Sequence, residues 1–179
     1  MAYHGMLRPQ FGPYYVDADV SDTASQRAKS VRLAGDRLVR GEWTATLLTA
    51  AWIHIGGQAP EMFEAATVWY QKSPLRSRVI PSAFRHIDYL RREEVSDEDL
   101  LVIGGVVVTA PELTIEDLLR VGGTARHQQC ALELACGVDL DQLQQRFQEH
   151  NHLVGMDQAC HLLDQLIPVV EAYWEATAV

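Results

Sequence analysis

Between Ser21 and Arg40 the apolar positions Ala24, Ala28, Val31, Ala34 and Leu38 recur at helical spacing, with Lys29, Arg32 and Arg40 on the opposite side. The pattern predicts an amphipathic helix that stops at Gly41. A second helix is expected from about Thr44 to Ile55, capped by Thr44 or Thr46 and apolar all round at Ala50-Ala51-Trp52-Ile53. Ahead of both, the turn-rich Arg8 to Pro13 leads into Tyr14-Tyr15-Val16, which reads as a small edge strand ending at Asp17. The β-branched and aromatic runs Ala65 to Gln71 and Phe84 to Leu90 predict two further strands, with Pro74 and Pro81 bracketing the loop between them.

The strongest local signal is the pair Leu100-Leu101-Val102-Ile103 and Val106-Val107-Val108-Thr109, separated by Gly104-Gly105 alone. A two-residue turn of that kind makes a tight hairpin, and the lack of polar alternation predicts a hairpin covered on both faces. Pro111 breaks the strand. Thr114-Ile115-Glu116-Asp117 reads as an N-cap with an acid three positions on, opening a short helix that closes at Gly122-Gly123. Three more helices follow: Arg126 to Ala135; one capped by Asp139 with Gln142, in which Leu140, Leu143 and Phe147 share a face; and Asp157 to Glu175, kinked by Pro168. The fold class implied is α/β (α+β): a small mixed sheet containing a buried β-hairpin, packed with N-terminal and C-terminal helices. With 179 residues and 47% hydrophobic content the whole chain, 1–179, is expected to form one domain, of which 124–179 is the helical C-terminal part.

Charge divides unevenly along this frame. Residues 1–96 carry 12 Lys+Arg and 10 Asp+Glu, whereas 97–179 carry 3 and 14. The second half repels phosphate backbones and suits a basic or apolar protein partner; nucleic-acid contact would fall to the first half. No apolar run approaches the roughly 18 residues of a spanning helix and no signal layout opens the chain, so a cytoplasmic protein without a membrane partner is expected. Cys130, Cys136 and Cys160, an odd number in helical segments, read as reduced thiols rather than a disulfide framework.

The order of elements and several short motifs resemble the AbiEi family of type IV antitoxins, in the part that follows their winged helix. Phe11-Gly12-Pro13-Tyr14-Tyr15-Val16 is similar to the last wing strand, so that residues 1–20 would correspond to a remnant of the wing. Thr49-Ala50-Ala51-Trp52-Ile53-His54-Ile55-Gly56 is similar to the family's Ala-Ala-x-x-His/Trp-Gly helix end. Ile103 to Leu118 resembles its "Gly-hydrophobic-x-Val-Thr-Ser/Ala-Pro-x-Arg-Thr-x-x-Asp-Leu" segment, with Leu113 where the family carries Arg. The resemblance implies a non-catalytic protein that counteracts or regulates a nucleotidyltransferase-type toxin, its cognate partner, and that represses its own operon when the winged helix is present. The residues that carry it, Gly104, Gly105, Thr109, Pro111, Thr114 and Asp117, are otherwise a turn, a helix breaker and a cap, each explained by backbone needs.

No complete catalytic set is apparent. Cys130 and Cys136, six apart on one helix, point about 120° away from each other, and no Cys-x-x-Cys pair exists, so His127, His150, His152, Cys160 and His161 are not expected to hold zinc. Glu64 with Lys72 lacks the further acids of a nuclease core, and Glu93-Glu94 with Asp97 and Asp99 read as a solvated charged loop. No Gly-x-Ser-x-Gly or phosphate-binding Gly-x-x-x-x-Gly-Lys occurs, and no metal or cofactor is expected. Lys29, Arg32, Arg40, Arg76, Arg78, Arg85, Arg91 and Arg92 form the candidate polyanion or partner surface, and an alternative function as a nucleic-acid-binding transcriptional regulator rests on them. Trp43, Trp69, Tyr70, Tyr173 and Trp174 are the candidate aromatic anchors.

Overall fold

A computed structural model describes residues 6–39, 41–68, 86–92, 95–121 and 124–178, giving only the backbone for 68 and 86–92. Where the sequence predicts one domain, the chain divides into two compact units, Met1–Thr109 and Ala110–Val179.

The first unit opens with an antiparallel pair, β1 (Leu7–Phe11) and β2 (Tyr14–Asp17). The sequence predicts only the second, because Pro9 disguises β1 as turn; the register breaks between Pro9 and Phe11. Phe11 leaves this pair for the core, where its ring stacks 5.4 Å from Trp52 and meets Phe63 edge-on at 6.3 Å. α1 (Ala24–Leu38) is capped by the Thr23 side chain, which accepts from Gln26 N, and buries the predicted Ala28, Val31, Ala34 and Leu38. α2 (Leu47–Ile55) follows a three-residue strand, β3 (Trp43–Ala45). The sequence offers Thr44 as a start or cap of this helix; the sheet claims it instead, because β3 pairs on one side with β4 (Met62–Val68) and on the other with β7 (Val106–Thr109). Thr46 sits at the N-cap of α2 without a side-chain cap bond, and Glu64 supplies one from the sheet by accepting from Leu48 N at 2.8 Å. At the other end Arg27, 6% exposed, donates to the carbonyls of Ile53 and His54 and pairs with Asp22 at 3.2 Å. Both termini of α2 are thus tied by buried charged side chains.

The sheet is small and mixed, with order β5-β4-β3-β7-β6, β5 being His86–Arg92 and β6 Leu100–Ile103. Its two parallel pairs, β4 with β5 and β3 with β7, alternate with antiparallel ones. The hairpin β6–β7 forms in the predicted register, and Gly104 and Gly105 both take positive φ (57° and 81°) as a tight two-residue turn requires. Its burial is half of what the pattern predicts. β7 is interior, with Val106 and Val108 buried, but β6 is an edge strand on which Leu101 is 41% and Val102 76% exposed. A continuous apolar run therefore did not guarantee cover on both faces: only the strand flanked by β3 obtains it.

Among its described residues the second unit contains four helices: α3 (Pro111–Arg120), α4 (Ala125–Ala135), α5 (Leu140–Glu149) and α6 (Met156–Thr177). The Thr114 N-cap is overturned. Pro111 occupies the first turn of α3 and Ala110 its N-cap, so Thr114 lies one turn inside and its hydroxyl donates to Ala110 O at 2.9 Å. Proline is well suited to that first position, where its missing N–H costs nothing. α4 begins with a capping box in which Thr124 and His127 exchange hydrogen bonds. Asp139 caps α5 as predicted, accepting from Asp141 N and Gln142 N, and Leu140, Leu143 and Phe147 are buried together on one face. α6 continues through Pro168 to Thr177. The expected closing glycines, Gly122 and Gly123, lie outside the described residues.

Candidate functional site

Thr109, Thr114 and Asp117 of the resemblance segment are buried within the fold. Thr109 is fully buried and its carbonyl accepts from His54 Nε2 at 2.8 Å, joining the end of α2 to the end of β7. Pro111 opens α3, and Thr114 and Asp117 are buried within it. Built on Gly104, a Cβ would stand 2.6 Å from the carbonyl oxygen of Ser25, so the turn is pressed against α1. In the structure Gly104 and Gly105 form the turn, Thr109 ends β7, and Pro111 opens the helix as the sequence predicts, whereas Thr114 and Asp117 lie inside α3 instead of forming its cap.

Of the eight candidate polyanion contacts, Lys29 and Arg32 are placed, both exposed on α1. Arg32 Nε lies 3.4 Å from Asp36, one turn on, which neutralises it locally. Arg40, Arg76, Arg78 and Arg85 lie outside the described residues, as do Trp69, Tyr70, Lys72, Glu93 and Glu94 and the side chains of Arg91 and Arg92. Glu64, weighed with Lys72 as a nuclease pair, is occupied as the buried cap of α2.

Two concavities carry the remaining interest, one in each unit. The first, about 550 Å³, opens beside β3, the central strand of the sheet. Trp43, Leu100, Val106 and Val107 supply its apolar wall, while Arg32, Asp36 and Glu42 bring charge to it. Among the described residues the buried Thr67 hydroxyl, also in the lining, finds no hydrogen-bond partner. Trp43 is held in place from behind: its Nε1 donates to Asp36 at 3.4 Å and its ring meets Phe63 edge-on at 5.5 Å.

The second, about 320 Å³, runs between α4 and α6. Ala125, Gln128, Gln129 and Leu132 line one wall, and Leu162, Gln165, Leu166 and Val169 the other, with Leu119 of α3 between them. Each wall is an i, i+3, i+4, i+7 stripe, so each helix turns one continuous face to the groove. Val169 is 51% exposed and Leu132 and Leu162 are half-buried. Further along, Trp174 Nε1 donates to Cys136 O at 3.0 Å, tying α6 to the end of α4, and Tyr173 stands exposed beside it. The sequence could have shown this groove: both stripes mix leucine with glutamine, a composition too polar for a core and too apolar for a solvated face.

Within the same unit lies a charged centre that the sequence did not reveal. Glu116 is 1% exposed and lies 2.7 Å from Arg146 Nε, 2.8 Å from His150 Nδ1 and 3.3 Å from Arg120 Nη1. Arg120 also donates to Val154 O. The arrangement fastens α3 to both ends of the segment from α5 to the start of α6.

Burial, with Arg126 adding to it, lowers the His127 pKa; the neutral ring is the form that accepts from Thr124 N through Nδ1. Burial raises the thiol pKa of Cys136, helped by Glu133, and that of Cys160, helped by Asp164 and Asp157, so both stay protonated at neutral pH. Cys130, Cys136 and Cys160 form no disulfide among the described residues. Among the described residues, no group of three or more His, Cys, Asp and Glu side chains is arranged to hold a metal ion, and no helix is long and apolar enough to cross a membrane. No protein-family description matches the chain, and no curated protein matches it significantly.

Proposed function

We propose that this chain is a non-catalytic binding and regulatory protein of the AbiEi-like antitoxin type, which counteracts or regulates a nucleotidyltransferase-type toxin. The observation that carries the reading is the segment from Ile103 to Leu118. Its residues resemble the antitoxin motif, and its polar members Thr109 and Thr114 are buried and engaged within the fold rather than presented to a substrate. A groove with an apolar wall and exposed Val169 supports a protein partner over a small polar one.

Co-expression tests this. A nucleotidyltransferase-type toxin encoded beside this chain's gene arrests growth when induced alone, and growth returns when both are produced. Persistent arrest, with both proteins present in soluble form, would overturn the proposal.

A further inference from the structure

We infer that the open edge of the sheet in the first unit, strand β6, pairs antiparallel with β6 of a second copy of this chain. Self-pairing goes beyond the antitoxin role and does not rest on it. Backbone valence argues first for a strand. Ile103 and Val106 close a two-residue hairpin, so they exchange hydrogen bonds, and Leu101 and Val108 do so after them. Leu100 and Val102 therefore turn their N–H and C=O away from β7, and among the described residues β6 pairs with no other strand. The Leu100 N–H is taken by Asp97 O, which leaves the Leu100 carbonyl and both backbone groups of Val102 facing outward. An extended backbone is what satisfies such a row. Nor is the edge guarded: β6 holds no charge, proline or bulge, whereas β5 at the far edge carries Asp88, Arg91 and Arg92.

Symmetry and charge choose the occupant. A dyad through Val102 sets its N–H and C=O against the same groups of its counterpart, so each strand supplies the donor and acceptor that the other needs. The 76% exposed Val102 then meets its own copy on one face, and the 41% exposed Leu101 meets Ile103 on the other. The two ends of β6 differ in charge. Asp97, Glu98 and Asp99 precede it, the first two exposed; at the Gly104–Gly105 end α1 brings exposed Lys29 and Arg32, whose Nη1 lies 2.7 Å from where a Gly105 Cβ would stand. Asp36 is bonded to Arg32, Glu42 lies level with Gly105 but beyond β7, and Lys29 has no ion pair among the described residues. That end is close to neutral. Antiparallel pairing lays the acidic end of each copy beside the lysine-bearing end of the other, where parallel pairing would superpose two carboxylate triads. Residues 1–109 hold 12 Lys+Arg and 13 Asp+Glu, net −1, so the unit that carries β6 does not repel its copy.

The test is sedimentation velocity on the full chain in about 150 mM salt, where long-range repulsion is largely screened. A pairing this short should be reversible and half complete at about 10–100 µM. Val102→Pro removes only an outward N–H, which an edge strand tolerates, and Val102→Lys sets two like charges across the dyad. Each should weaken the dimer at least about tenfold while the circular dichroism stays unchanged. Val154→Lys, a charge-matched change at an exposed valine outside the strand, should leave the dimer intact. Lys29→Glu should weaken it, and Glu98→Lys added to that variant should restore it. A wild-type chain that stays monomeric up to about 500 µM, a dimer that survives both Val102 variants, or a loss at Lys29→Glu without recovery would each overturn the inference. So would a monomer that binds the fluorescein-labelled extended peptide Lys-Val-Thr-Val-Thr-Lys and loses it in Val102→Pro, since the occupant of the edge would then be a foreign strand.

Discussion

Gly35 lies in α1 directly beneath the indole of Trp43, and a Cβ built there would stand 2.1 Å from Trp43 Cζ2. Two effects compete when alanine replaces it. Helix propensity favours alanine by about 1 kcal/mol, while forcing a methyl into a filled space costs about 1–3 kcal/mol. The indole cannot step aside cheaply, since it would surrender its edge contact with Phe63 and its bond to Asp36. The clash should therefore win: Gly35→Ala is expected to lower stability by up to about 2 kcal/mol, read as a lower urea midpoint at unchanged slope. Adding Trp43→Leu should return much of the loss, because the obstruction leaves with the ring. A midpoint for Gly35→Ala equal to or above that of the parent would show that the ring moves freely. Nothing in the local pattern announces this requirement; Gly35 falls among residues of ordinary helical periodicity, and only Trp43, packed back against α1 from the next strand, makes the side chain intolerable.

At the scale of elements, two ties hold the second unit. Glu116 lies on α3 with Arg120, while Arg146 and His150 come from α5 and its C-cap, 30 and 34 residues away. Deleting the carboxylate leaves two guanidinium groups turned toward an emptied site, and breaking such a buried pair costs about 3–5 kcal/mol; Arg146 and Arg120 retain some exposure, so Glu116→Ala belongs at the lower end. Amide exchange should rise most in α3 and α5, and unchanged protection there would refute the tie. The second is the capping box of α4. His127 accepts there only when neutral, and its pKa is below the usual 6.5. With the folded pKa lowered, the unfolded chain binds the proton first as pH falls, so this contribution is whole above pH about 6.5 and is lost on acidification toward the folded pKa. His127→Gln, which keeps an acceptor for Thr124 N, should flatten that part of the stability profile between neutral and mildly acidic pH; a profile identical to the parent's would sink the assignment. What could be read in advance follows the same division. The helix faces of α1 and α5 and the β6–β7 turn were legible because their information is local, in periods of a few residues and in adjacent glycines. β1, β3 and the Glu116 centre were not: Pro9 concealed one, a three-residue strand is defined by neighbours 20 and 60 residues on, and the third needs side chains from separate helices. The same competition moved Thr114 from cap to helix interior, Pro111 holding the first turn three residues earlier.

On the scale of the whole molecule, charge is the property that decides between partners. The eight cations singled out for a polyanion, Lys29, Arg32, Arg40, Arg76, Arg78, Arg85, Arg91 and Arg92, all precede residue 97, yet the chain as a whole carries −9. If all eight neutralised phosphates, affinity would fall with salt at a logarithmic slope of about −7, a loss of roughly ten-thousandfold between 50 and 200 mM. Arg32 is already matched by Asp36, and the 24 carboxylates of the chain oppose approach at every salt concentration where the cations attract. Contact of this kind would have to begin from an unusually tight complex at low salt to survive at about 150 mM. A duplex carrying the sequence upstream of this chain's own gene should accordingly show no electrophoretic shift at that salt, even where one appears in dilute buffer. A shift that persists there, and disappears when the arginines are replaced by alanine, would move the function from the acidic helical unit to the first one and favour a nucleic-acid-binding regulator.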